Sequence, residues 1–174
     1  MLQSYSQSNG TSIKRNTFFV EAGGNTFFYS LNYDRLLKVK DTWRLSGRVG
    51  AMYVNTFNNQ KRNIFAIPIE VSYLRGKRTN FFEVGFGISG YHDHYSFNDP
   101  SLPVRENQVR EFALITALRI GYRHQKPEGG LFYRFGFTPL AGVVIDLDTK
   151  FNFKTAEKFG YPFISAAIGW TMKG

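Results

Sequence analysis

The chain has 174 residues, no cysteine, and a formal charge of +9 from 22 Lys and Arg against 13 Asp and Glu. Disulfides and thiolate metal sites are therefore excluded, and the length suits a single domain. The longest wholly apolar run, residues 64–69, is far short of the ~20 residues that a membrane-spanning helix needs.

Residues 1–13 are rich in Ser, Gln and Asn and read as a flexible polar tail ahead of one domain over 14–174. The first ten carry neither a basic start nor an apolar core. An exported form would thus be the mature one, its signal peptide removed.

From there the dominant period is two. In Phe65-Ala66-Ile67-Pro68-Ile69-Glu70-Val71-Ser72-Tyr73 the odd positions are all apolar or aromatic, and Phe82 to Ser89 repeats the pattern on even positions. Such alternation makes strands with one apolar and one polar face. Eight segments follow it, near 15–22, 26–37, 43–54, 63–75, 80–92, 110–125, 131–141 and 161–173. Most exceed the ~5–6 residues of ordinary strands and match the ~9–11 of tilted membrane strands. Gly23-Gly24-Asn25 leaves open whether the first two are separate strands or one bent strand. Pro68 and Pro139 each remove a ladder donor, which predicts local distortion at both.

The connections alternate in length. Residues 38–42, 76–79 and 126–130 are short and turn-like, whereas 55–62, 93–109 and 142–160 are long. Short turns at one end, long loops at the other and an even strand number describe an outer-membrane barrel with both termini at the short-turn, periplasmic end.

The two strand faces differ in content. One is bulky throughout: Phe18 and Val20; Phe27, Tyr29, Leu31 and Tyr33; Phe65, Ile67, Ile69, Val71 and Tyr73; and so on to Trp170. Some thirty such side chains would overfill an eight-stranded interior, so this face is expected outside, against lipid. It accounts for the 17% aromatic content. The other face carries small residues with Glu21, Asp34, Glu70, Glu83 and Glu111 against Arg44, Arg48, Arg119, Arg123 and Arg134. An enclosed lumen requires that kind of balance, because buried unpaired charge is very costly and the planar Arg fork pairs well.

The net charge then falls on one rim. Ten bases, among them Lys38, Lys40, Arg75, Lys77, Arg78 and Lys126, face two acids at the short-turn end, while the other end holds seven bases and six acids. A basic periplasmic rim suits anionic lipid head groups or simple snorkelling at the membrane boundary. Nucleic-acid binding is not expected, since no basic face with interleaved aromatics forms.

Phe19-Val20-Glu21-Ala22-Gly23-Gly24-Asn25, Ser30-Leu31-Asn32-Tyr33-Asp34-Arg35 and Gly121-Tyr122-Arg123-His124-Gln125, with the Phe82–Gly87 and Gly129–Arg134 segments, resemble small outer-membrane β-barrel proteins of Bacteroidota-type bacteria. The resemblance spans about 16–173 and implies a fold like the OmpA membrane domain or OmpX, with little about activity. Such barrels usually end in an aromatic residue, and Met172 stands at that position here.

For chemistry, His92 and His94 lie two apart near a strand end and form a weak metal pair with Asp93 or Asp99, or a base for Ser96. Asp146 and Asp148 are a weaker calcium motif. The resulting expectation is an all-β, eight-stranded antiparallel up-and-down transmembrane barrel. Its lumen is ion-paired and is not that of a porin, and it carries no catalytic residue and no cofactor. It would be a monomer among outer-membrane lipids, with a structural role or recognition through loops 93–109 and 142–160. The alternatives are an outer-leaflet lipid-modifying enzyme on the same barrel, and a soluble lipocalin-like barrel binding an apolar ligand.

Overall fold

The computed structural model describes residues 13–56, 61–98, 106–147 and 153–172. Their strands are β1 (Asn16–Gly23), β2 (Tyr29–Val39), β3 (Trp43–Thr56), β4 (Lys61–Lys77), β5 (Asn80–Asn98), β6 (Glu106–Gln125), β7 (Gly130–Phe137), β8 (Leu140–Leu147), β9 (Phe153–Tyr161) and β10 (Ile164–Met172). Neighbouring strands pair antiparallel, and β10 pairs with β1 to close the sheet.

Ten strands make eight staves. β6 pairs with β7 through Ile120↔Phe137 and with β8 through Ala117↔Leu140, so β7 and β8 are one stave interrupted at Thr138-Pro139. β9 and β10 likewise form one stave, interrupted at Pro162-Phe163 directly opposite. The register is the same on both sides of the break, because Thr138 N–H donates to Phe163 O (2.6 Å) and Leu118 N–H to Pro139 O (3.1 Å) across it. The expected distortion at Pro139 is therefore a gap without slippage. At Pro68 the β3–β4 ladder skips from Val49↔Ile69 to Met52↔Ala66 and again resumes in register. The bulges lie elsewhere, at Leu36/Lys38 and Val144/Ile145.

Stepping from partner to partner around the wall links Asn80, His124, Tyr133, Ile168, Val20, Leu31 and Ala51; the register flanking the skip at Pro68 sets Ile67 opposite Ala51, and Ile67 returns the path to β5 at Gly90 rather than Asn80. The ten-residue offset between those two β5 positions is the stagger that closure imposes, and it tilts the strands by ~35–45°. Every side chain on that path faces outward.

Two sequence expectations change, those for the long loops and for Phe27, and the open point at Gly23–Asn25 is settled. The segments 93–109 and 142–160, read as long loops, are mostly wall: β5 runs to Asn98, β6 starts at Glu106, β8 runs to Leu147 and β9 starts at Phe153. Polar residues blur the two-residue alternation there while the ladder continues. β1 and β2 are separate strands, joined by a 3-10 turn at Gly24–Thr26. Phe27, assigned to the outer face, instead leaves that turn to pack against the interior cluster.

The turn depends on glycine. Gly23 sits at φ 72°, ψ −147°, a region essentially confined to glycine. A Cβ there would lie 2.3 Å from Ile164 O. Gly23→Ala is therefore expected to destabilise the barrel by at least ~2 kcal/mol, seen as a lower denaturant midpoint, whereas the same change at open Gly160 should be close to neutral.

Candidate functional site

The barrel interior has three tiers. The lowest, at the short-turn end, is apolar and aromatic. Leu36, Leu74 and Phe81 form one buried cluster, and Phe19, Phe132 and Ala167 form another. Between them Gln125 donates to Thr17 Oγ1 (3.0 Å), and the Thr17 and Thr171 hydroxyls lie 2.9 Å apart.

The middle tier is ionic. Glu21, Asp34, Glu70 and Glu83 meet Arg48, Arg119, Arg123 and Arg134, all fully buried. Glu70 accepts from Arg48 (3.2 Å), Arg119 (3.1 Å) and Arg134 (3.1 Å), and from Asn25 Nδ2 (3.1 Å). Glu21 pairs with the same three arginines, at 2.7 Å for Arg119 and 3.0 Å for Arg134. Arg134 also reaches Glu83 (3.2 Å), and Arg123 forks onto both oxygens of Asp34. These residues come from seven staves, and Ser165 on β10, which accepts from Arg119, adds the eighth. Two arginines are further held by rings: Arg134 lies 4.7 Å from the Phe19 centroid and Arg123 5.0 Å from Phe132.

The upper tier is apolar. Met52, Ala66, Tyr91, Ile115, Ala117 and Leu140 are buried together, with Phe27, Val54, Ile64, Ala113 and Phe163 around them. The Tyr91 hydroxyl donates to Asn25 O at 2.7 Å, so its polar atom is satisfied. This tier departs from the small and charged inner face expected from the sequence. The signal was present, since Met52, Ile64, Ile115 and Leu140 share the parity of the charged positions.

Two members of the expected network stand apart. Arg44 points inward below the ionic tier, donates to Arg78 O (2.9 Å) and lies over Phe81 (4.2 Å), and among the described residues no carboxylate pairs with it. Glu111 lies in β6, but its side chain falls outside the described residues. At the upper mouth Arg62 instead forks onto Asp93.

Outside, the wall is an apolar belt. Leu31, Ile69, Phe86, Leu118, Phe135 and Ile168 are all about half-exposed or more. Aromatics fringe it at the short-turn end, where Trp43 stacks on Tyr73 (5.9 Å) and His124 on Tyr133 (4.7 Å). Below them Lys38, Lys40, Arg75, Lys77, Arg78 and Lys126 are all exposed, and Lys38 lies 5.5 Å over Trp43. His92 and His94 are on the outer face at the opposite end and line a recess of about 340 Å³ with Tyr53, Asn63 and Phe65. Among the described residues no group of three metal-ligating side chains forms. Asp99 and Asp148 fall outside the described residues, as do the side chains of Ser96 and Asp146.

Wall and interior together define an eight-stranded, antiparallel, up-and-down β-barrel with an ion-paired centre. No family model, curated protein or solved structure matches the chain.

The ionic tier yields a contrast. Glu70→Ala leaves three buried arginines sharing Glu21, against one carboxylate fewer than they need, and should cost ~3–5 kcal/mol, whereas Arg44→Ala removes one bond to a neutral acceptor and the contact over the Phe81 ring and should cost ~1–2 kcal/mol. Denaturant midpoints of the two variants, measured side by side in detergent, check the difference.

Proposed function

We propose that the protein is an integral outer-membrane β-barrel whose role is structural or recognitive rather than catalytic, acting as a monomer without a cofactor. The observation that carries this reading is the inversion of the barrel. Its charges are inside and paired, and its large apolar side chains are outside. Soluble proteins seldom expose contiguous apolar patches beyond a few hundred Å², and here an apolar band encircles the wall. Bilayer-spanning barrels have this arrangement, with aromatic girdles at both edges. Trp43, Tyr73, Tyr133 and Trp170 suit one girdle, and Tyr29, Tyr53 and Phe65 the other.

The interior argues against bulk transport. Eight staves leave room only for side chains, and the eight charges of the middle tier fill that room. The exposed basic rim at the short-turn end favours anionic head groups in the periplasmic leaflet. Recognition, if the protein has a partner, would use the tall β5–β6 and β8–β9 hairpins, which carry the segments 93–109 and 142–160. The resemblance to OmpA-like and OmpX-like barrels of Bacteroidota-type bacteria fits this reading.

The protein should fold only with detergent or lipid and migrate faster on gels unboiled than boiled. A monodisperse, folded protein in plain buffer would support the lipocalin-like alternative instead. Within the belt, Val71→Arg should cost ~2–4 kcal/mol in bilayer folding assays, because mid-membrane outward Arg is penalised by about that much. Neutralising Lys77, Arg78 and Lys126 together should weaken attraction to anionic vesicles by ~1 kcal/mol per charge and leave folding unchanged.

A further inference from the structure

The outer belt is not smooth. Across β10, β1, β2 and β3 it holds an open recess of about 690 Å³. That volume lies within the ~300–1,000 Å³ of ordinary ligand pockets, which are likewise mostly apolar with a few placed polar groups. Two rungs of the ladder frame it. The upper runs from Ile168 through Val20 and Leu31 to Ala51, and the lower joins Trp170, Phe18 and Tyr33. Gly50 and Gly169 also line it, so at those points it reaches the backbone of the wall. On β3 the sequence supplies a local cause. Between Leu45 and Tyr53 its outward residues shrink to Gly47, Val49 and Ala51.

The foot of the recess is polar and then cationic. The Tyr33 hydroxyl donates to Asn16 Oδ1 (2.8 Å). Asn16 is the ladder partner of Arg35, whose other partner, Gly47, has no side chain to fill the space beside it. Arg15 is held alongside, because Leu36 N–H donates to its carbonyl (2.9 Å). Both arginines are exposed, and among the described residues no carboxylate pairs with either. From Leu31 to Arg35 the strand covers ~14 Å. Within that span apolar, aromatic and cationic levels follow one another. A phospholipid presents its chains, its ester region and its phosphate in the same order.

We propose that this recess is a binding site for one anionic phospholipid of the periplasmic leaflet, with an acyl chain in the recess and the phosphate on Arg35 and Arg15. The proposal rests on the outer belt facing lipid. The apolar lining would accept any chain, so selection falls to the two guanidinium groups. Their planar forks take two phosphate oxygens at once. A zwitterionic head group carries its own cation, which the same two charges repel. The site also stands apart from the general attraction of the rim, since Lys77, Arg78 and Lys126 sit at the turns that follow β4 and β6.

The test uses single-tryptophan protein folded into phosphatidylcholine vesicles that contain a small fraction of brominated lipid. Trp43→Phe leaves Trp170, which lines the recess, as the only reporter, and Trp170→Phe leaves Trp43, outside it. Brominated phosphatidylglycerol should quench Trp170 as if about fivefold enriched over brominated phosphatidylcholine, the ~1 kcal/mol that one basic contact near the surface supplies. At Trp43 the excess should be smaller. Arg15→Gln with Arg35→Gln should remove the excess at Trp170, and so should Ala51→Phe, which fills the upper part of the recess. Neutralising Lys77, Arg78 and Lys126 should leave it in place. Retained fast migration of unboiled samples verifies that each variant is folded. An equal excess at both tryptophans, or one that survives loss of both arginines, is general rim attraction and overturns the site. An excess unchanged by Ala51→Phe overturns the recess as the seat of the chain. Equal quenching of Trp170 by the two lipids overturns the site and leaves the membrane reading intact. Quenching of Trp43 with none of Trp170 shows the recess covered by protein, which overturns the lipid as its occupant. A folded protein with neither tryptophan quenched by any brominated lipid overturns the belt reading and the site with it.

Discussion

The buried ionic tier is the constraint from which the rest of the structure follows. Eight charges with almost no contact with water are tolerable only if each finds partners in good geometry, since one stranded charge costs several kcal/mol. Glu21 and Glu70 solve this by each serving the same three arginines. Those arginines arrive from β3, β6 and β7, so the pairing is complete only when the staves have closed into a ring. Closure, register and charge satisfaction are thus one condition rather than three. Because strands alternate faces, placing these charges inside also places Val20, Leu31, Ile69 and Val71 outside. A register slip by one residue would exchange the two sets, and the ionic tier makes that slip prohibitive.

Above and below the charges the interior reverts to apolar packing, but the two ends differ. The lower end is capped by Leu36, Leu74 and Phe81 beneath short turns. At the upper end the first hairpin stops early and folds its turn into the barrel. The Gly23 and Gly24 conformations permit that fold, and the Asn25–Glu70 and Tyr91–Asn25 hydrogen bonds hold it. The turn is therefore both the lid of the ionic tier and the floor of the apolar one. Its low position also makes the wall asymmetric.

Much of this was legible in the sequence, for physical reasons. Period-two alternation located the eight staves, because a wall with two different environments imprints them on successive residues. The equal number of inward acids and bases pointed to an enclosed network, although which carboxylate meets which arginine depends on the ten-residue stagger and was not readable. Strand ends beyond the belt look like loops in the sequence, since polar residues on both faces from about 93 to 109 remove the alternation without removing the ladder. Phe27 was placed outside because parity assigns it there. Only the positive φ after a glycine pair turns it inward, and glycine reveals that a turn is possible without revealing which way it folds. Arg44 had the right parity for the network but sits too near the rim to reach a carboxylate.

The central claim is that lipid surrounds the outer belt, and the two native tryptophans report on it directly. Trp43 and Trp170 both face outward near the short-turn end, where a girdle would sit at the membrane boundary. Folded into vesicles of lipids brominated at defined chain depths, the protein should lose tryptophan fluorescence most with bromines nearest the head group, less with deeper ones, and little to aqueous iodide. Intact β-structure with fluorescence indifferent to brominated chains and strongly quenched by iodide would contradict the account.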